Sequence, residues 1–116
     1  MWDFSTDPEF QAQLDWMDAF VRDRIEPLDA LFGGLTYHSV DEPLRTMIGG
    51  LKQEVRDRGL WAAHLGPDLG GQGYGQLQLA LMNEILGRSS WAPIVFGCAA
   101  PDTGNAEIIA HYGTPE

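Results

Sequence analysis

The sequence predicts an all-α helical bundle, and three observations carry that reading. Apolar residues advance by steps of three and four along two stretches, and a third stretch is apolar on nearly every side. Helix starts and stops stand between them, with none of the evenly spaced strand-and-turn rhythm of a β protein.

The first helix is expected over residues 7–26. Thr6-Asp-Pro-Glu9 has the form of a capping box with proline in the first turn, and Phe10, Leu14, Met17, Val21, Ile25 and Leu28 then mark one face. A bend is expected at Pro27. Asp15, Asp18, Arg22 and Asp23 occupy the other face, with Asp18 and Arg22 at i,i+4, which reads as a solvated surface rather than a metal site. A loop with Gly33, Gly34, Tyr37 and His38 leads to Asp41 as the expected N-cap of a second helix, with Pro43 in its first turn. That helix runs to about Arg58. Leu44, Ile48, Leu51 and Val55 form its apolar stripe, Lys52, Arg56 and Arg58 place cations toward its C-terminal end, and Gly59 stops it.

An apolar connector over residues 60–65 precedes a loop holding Gly66, Gly70, Gly71, Gly73 and Gly75, a density that marks sharp turns or close backbone approach. The third helix, residues 76–88, carries Leu77, Leu79, Ala80, Leu81, Met82, Ile85 and Leu86, and is expected in the middle of the bundle. Residues 92–100 are compatible with a strand through Ile94-Val95-Phe96 or with a helix opened by Pro93. Pro101-Asp-Thr-Gly104 resets the chain, and Ile108, Ile109 and Tyr112 mark a short helix. Gly113-Thr-Pro-Glu116 reads as a left-handed helix terminus followed by a new helix start, so residues 1–116 are expected to be one module of a longer protein.

Composition limits the function. Seventeen acids against seven bases give a net charge of −10, with ten acids and two bases in residues 1–42. Such an excess disfavours nucleic acids and anionic membrane surfaces, which attract clustered Lys and Arg. A lone cysteine, Cys98, excludes an internal disulfide and fits a reducing compartment; its apolar neighbours favour an inert buried thiol over a nucleophile. No apolar run approaches the roughly 18 residues of a membrane span, and the N-terminus lacks signal-peptide features, so a cytoplasmic location is the expectation.

Individual motifs point to little chemistry by themselves. The glycine cluster satisfies neither the dinucleotide fingerprint nor the phosphate loop, because no strand precedes it and no Gly-Lys-Ser/Thr follows. His38, His64 and His111 lack metal-ligand spacing, and no metal is expected. Glu84 could serve as a buried base; the structural reading, a place at the helix margin or a pair with a cation such as Arg88 at i+4, is preferred.

Gly59-Leu-Trp61, Pro67-Asp-Leu-Gly-Gly-Gln-Gly-Tyr-Gly75, an apolar helix ending Glu84-Ile-Leu-Gly-Arg88, and His111-Tyr-Gly-Thr-Pro-Glu116 follow one another in an order that resembles the N-terminal helical domain of the acyl-CoA dehydrogenases. The stretch Phe96-Gly-Cys-Ala-Ala-Pro-Asp-Thr-Gly-Asn105 is similar in particular to the branch whose vertebrate members are often fused to a phosphotransferase-like kinase domain. The resemblance implies an oxidoreductase of fatty-acid metabolism that dehydrogenates the Cα–Cβ bond of an acyl-CoA thioester, by proton abstraction and hydride transfer to FAD. It implies that the catalytic glutamate and the flavin contacts lie in a middle β domain and a C-terminal α domain, so this segment is expected to hold neither FAD nor a catalytic residue and to be inactive alone. Its implied contribution is a wall of the acyl pocket. If residues 92–100 are helical, Phe96 or Gly97 and Ala100 stack one turn apart, with Thr103 and Gly104 just beyond and Pro101 ending or kinking the helix. Core packing is the competing role for Phe96, Ala99 and Ala100. Expected partners of the parent are the acyl-CoA substrate, its remaining domains, further copies of itself and an electron-transfer flavoprotein. A different class, a freestanding helical interaction module without catalysis, remains open, as does a family member that keeps the fold but lacks the catalytic carboxylate. Acyl-chain length and branching are not readable from the residues.

Overall fold

A computed structural model describes residues 5–34 and 41–114. The described residues are helical, without strands. The body measures 49 × 37 × 22 Å, a slab roughly two helices thick, since one helix with its side chains spans about 10 Å.

The first rod comprises α1 (Pro8–Phe20), a π-helical segment (Val21–Ile25) and α2 (Glu26–Phe32). Its N-cap is Asp7 rather than Thr6: the Asp7 carboxylate accepts the Phe10 N–H at 2.9 Å, while the Thr6 hydroxyl donates to Gln11 Oε1 at 2.6 Å. Asp at this position satisfies an orphan amide and complements the positive end of the helix dipole. The rod does not stop near residue 26. The Glu26 N–H donates to the Val21 carbonyl five residues back, and Pro27 sits in the first turn of α2. A π turn has already displaced the usual i to i−4 pairing there, so the amide that proline lacks is one the ladder can spare. Phe10, Leu14, Met17, Val21, Ile25 and Leu28 are all buried, as the periodicity predicts.

Helix α3 (Leu44–Asp57) is capped from the preceding turn by Glu42, whose carboxylate accepts the Thr46 N–H at 3.3 Å and the Thr46 hydroxyl at 2.7 Å. Asp41, the expected N-cap, contributes its backbone carbonyl to Arg45 N–H at 3.1 Å instead. Ile48, Leu51 and Val55 are buried, and Leu44 packs at the margin of the same core. The helix ends in a Schellman motif around Gly59 (φ +75°): Leu60 N–H donates to Val55 O and Gly59 N–H to Arg56 O, at 3.0 and 2.9 Å. Leu60 and Val55, which the motif brings together, have no exposed surface.

In the glycine-rich loop a 3₁₀ turn (Pro67–Leu69) folds back so tightly that a Cβ on Gly71 would lie 1.7 Å from the Leu65 carbonyl oxygen. Only glycine fits there. Helix α4 (Gln76–Leu86) packs on α1, but it is not central: only Met82 and Leu86 are buried, and Leu77 is 75% exposed. Of its other apolar residues, Leu79, Leu81 and Ile85 are half-buried against the core, while Leu77 and Ala80 stay exposed.

Residues 92–100 form neither a strand nor a continuous helix. Helix α5 is one turn (Ala92–Val95), and it stops because Gly97 adopts φ +70°, four residues before Pro101. Helix α6 (Asp102–Tyr112) then begins directly after Pro101. No α6 residue is buried; Ile108, Ile109 and Tyr112 are largely exposed. Gly113 ends it in an extended conformation (φ −71°), not the left-handed one, and a Cβ there would press 2.4 Å from Ile109 O. His38, Tyr37 and the Pro115-Glu116 helix start fall outside the described residues.

Candidate functional site

The segment from Phe96 to Thr103 divides two clefts, and its backbone is pinned at both ends of the turn. The Phe96 carbonyl accepts the Ala62 N–H at 2.9 Å, and the Cys98 N–H donates to the Pro93 carbonyl at 2.8 Å. Phe96 itself is 1% exposed and meets Phe20 edge to face, with ring centroids 6.1 Å apart. Gly97 presses on the Trp61 indole, which also carries the Arg56 guanidinium 3.9 Å from its ring centroid.

The larger cleft, about 340 Å³, lies between the connector after α3, α4 and α6. Leu60, Leu79, Met82, Leu86 and Phe96 give it an apolar floor; His64, Gln76, Asn83, Cys98, Thr103 and Glu107 supply its polar groups. The smaller cleft, about 180 Å³, is bounded by Lys52, Arg56, Trp61, Ala62, Ile94, Gly97, Ala99, Asp102 and Ala106. The five residues singled out from sequence thus separate. Phe96 and Thr103 line the larger cleft, Gly97 the smaller, and Ala100 and Gly104 are exposed and line neither of the two. The one-turn stacking of Phe96 or Gly97 on Ala100 does not occur, because the left-handed backbone at Gly97 ends the helix before it can place them on a common face.

Other chemistry-bearing residues are distributed as follows. Burial pushes the Cys98 thiol up to about 11, which makes it a poor nucleophile at neutral pH and agrees with an inert thiol. Glu84 is exposed rather than set in a buried helix. Arg88 does not pair with it: the guanidinium reaches Asp18 at 2.6 Å and Glu26 at 3.2 Å, tying the end of α4 to the first rod. Asp18 and Arg22 do form the expected i,i+4 pair, at 3.0 Å. His111 is exposed at the end of α6. His64 is the residue that sequence reasoning undervalued: it lines the larger cleft, and both its ring nitrogens are buried without a hydrogen-bond partner. Its position just before the glycine-rich loop is visible in the chain, but its place in a cleft shared with α4 and α6 is not. Among the described residues no cluster of His, Cys, Asp and Glu could hold a metal ion, and no helix is long and apolar enough to cross a membrane.

These residues do not suit a flavin. Three amides of the glycine-rich loop are spent within it, Leu69 and Gly71 donating to Gly66 O and Gly70 to Pro67 O, and so are not free to cradle a pyrophosphate. The charged group of the larger cleft is a carboxylate, Glu107, which repels phosphate.

Residues 7–116 match the family described as "Acyl-CoA dehydrogenase, N-terminal domain". A probable acyl-CoA dehydrogenase of Mycobacterium tuberculosis is 35% identical over 115 residues, covering 98% of this chain and 24% of that protein. Acyl-CoA dehydrogenase family member 11 of Gallus gallus is 44% identical over 66 residues, 57% of this chain and 8% of the relative. A solved structure of an acyl-CoA dehydrogenase homologue from Mycobacterium abscessus superposes with a TM-score of 0.72 at 28% identity, covering 97% of this chain and 30% of the other. The chain therefore spans less than a third of the length of each of these relatives. With the helical slab, the order of its elements and the sequence match all in agreement, this chain belongs to the acyl-CoA dehydrogenase family and corresponds to its N-terminal domain.

Proposed function

We propose that this chain supplies one wall of the acyl pocket of an acyl-CoA dehydrogenase, whose whole protein oxidises the Cα–Cβ bond of an acyl-CoA thioester. The observation that carries this reading is the larger cleft, where Phe96 and Thr103 stand over a floor of Leu60, Leu79, Met82 and Leu86. Apolar floors of this kind remove an acyl chain from water at about 0.8 kcal/mol per methylene. In the whole protein FAD would accept the electrons; the residues described here bind and shield, and the flavin is held by other parts of the fold. The uncovered apolar side chains Leu77, Ile108, Ile109 and Tyr112 support the further proposal that β and C-terminal α domains of the parent lie against this slab. An oligomeric parent that passes electrons to an electron-transfer flavoprotein belongs to the same reading.

The test is an acyl-CoA-dependent reduction of ferrocenium by the whole protein across a series of chain lengths. Activity with acyl-CoA substrates is expected, and Thr103→Phe should shift the preference toward shorter chains while flavin content stays constant. Absence of acyl-CoA-dependent reduction, or an unchanged chain-length profile in Thr103→Phe, would overturn the proposal.

A further inference from the structure

The seven cations of this chain fall into two groups. Arg22, Arg24, Arg45 and Arg88 each lie within 4.0 Å of an Asp or Glu oxygen. Lys52, Arg56 and Arg58, at the C-terminal end of α3, form no such pair among the described residues. The helix dipole accounts for cations at this end, but not for their gathering on tryptophans. The Arg56 guanidinium is 3.9 Å and the Lys52 ammonium 5.7 Å from the Trp61 ring centroid, and Arg58 stands 5.0 Å over Trp16. An indole beneath a guanidinium restricts its rotamers, so part of the ordering that an ion pair requires is complete before any partner arrives.

Lys52 and Arg56 also bound the smaller cleft, whose one carboxylate, Asp102, pairs with neither. On the other side of Arg56 and Trp61 lies a second depression of about 240 Å³, walled by Gly59, Gly70, Gly71 and Gln72. The two depressions meet at Arg56 and Trp61, and no residue of either lines the larger cleft. Adjoining depressions suit a stretch of chain better than a single ion. Lys52 and Arg56 are four residues apart on one helix face, with Cβ atoms about 5–6 Å apart, and alternate side chains of an extended segment repeat at about 6.6 Å. Nucleic acid is disfavoured, because a net charge of −10 repels a long polyanion. Over a few residues, a screening length of about 10 Å lets the nearby cations decide instead. We propose that Lys52, Arg56 and Trp61 form a docking site for a short acidic segment of a partner protein, bound extended with carboxylates at alternate residues.

The experiment titrates the whole protein, by calorimetry, with the blocked peptide acetyl-Gly-Glu-Ser-Glu-Gly-amide, its Gln-for-Glu counterpart and inorganic phosphate. The acidic peptide is expected to bind and the Gln peptide is not. Lys52→Gln combined with Arg56→Gln should weaken binding by about tenfold or more, through the loss of charge-assisted hydrogen bonds, and raised salt should act in the same direction. Arg45→Gln, at a cation already paired with Glu42, should change binding by less than about twofold, as should the conservative Lys52→Arg. Acyl-CoA-dependent reduction should be unchanged in every variant, so this site and the acyl pocket fail or stand separately. Undiminished peptide binding in the double variant would refute the site. Phosphate binding as tight as the peptide's would show a small-anion site instead. Peptide binding by this chain but not by the whole protein would place another domain on the groove, and self-association abolished by the double variant would place a second copy there; either result overturns the proposal.

Discussion

The indole of Trp61 lies so close to Gly97 that a Cβ at position 97 would stand 2.6 Å from a ring carbon. The contact is held from two sides. Ala62, the next residue after the indole, donates its N–H to the Phe96 carbonyl, and Gly97 itself adopts φ +70°. The turn that parts the two clefts is therefore shaped by a missing side chain.

Gly97→Ala should destabilise the fold by about 2 kcal/mol or more, combining the left-handed backbone penalty with overpacking against the ring. Urea unfolding measures it. Trp61→Ala removes the obstacle, so the double variant should cost clearly less than the sum of the singles. Additive costs would show that the ring is not what position 97 meets.

Arg88 connects α4 to the first rod through Asp18 and Glu26, with the paired side chains about 40% exposed. Exposure of that degree limits the gain: Arg88→Ala should cost about 1 kcal/mol or less, and its coupling to Asp18→Asn should shrink when salt is raised to screen the pair. A double-mutant cycle at two salt concentrations checks both statements.

Burial holds the Cys98 thiol protonated until about pH 11, against an ordinary value of 9.0. At pH 8 its reaction with a disulfide reagent should run about a hundredfold below that of an unburied thiol, two pK units of lost thiolate. The sign for stability follows from the same shift. Between pH 9 and 11 the unfolded chain has released a proton that the folded chain keeps, so raising the pH through that window favours unfolding. Cys98→Ala should lessen that part of the alkaline loss, as thermal melts across the window would show.

Ile108 and Ile109 are 60% and 66% exposed on a helix with no buried residue. Concentration-dependent self-association of the chain is expected in sedimentation velocity, and Ile108→Glu with Ile109→Lys should suppress it while leaving the helical circular dichroism unchanged. A strictly monomeric native chain at high concentration would show that this face is not adhesive.

Much of the architecture is legible residue by residue. The stripe from Phe10 to Leu28, the stripe from Ile48 to Val55 and the stop at Gly59 all follow from side-chain spacing and one glycine, because these are interactions between near neighbours along the chain. The misreadings have separate causes. Thr6 against Asp7, and Asp41 against Glu42, are choices between adjacent capping groups that differ by little in energy. Pro27 looks like a bend, yet the π turn before it absorbs the missing amide. The largely apolar α4 gives little sign of which face is covered, since an apolar pattern records where a helix can be buried and not what is present to bury it.

The candidate site divides along the same line. Local spacing alone determined the two amphipathic stripes, the stop at Gly59, the acidic surface and the ordered motifs that mark the family. Only the packed structure decided that Phe96 and Thr103 share a cleft while Gly97 turns to another, that Arg88 reaches Asp18 across the slab, and that His64 is enclosed. The reason is physical: a helix is settled by contacts three and four residues apart, whereas a cleft is made by groups far apart in the chain, whose meeting depends on every crossing angle and turn between them.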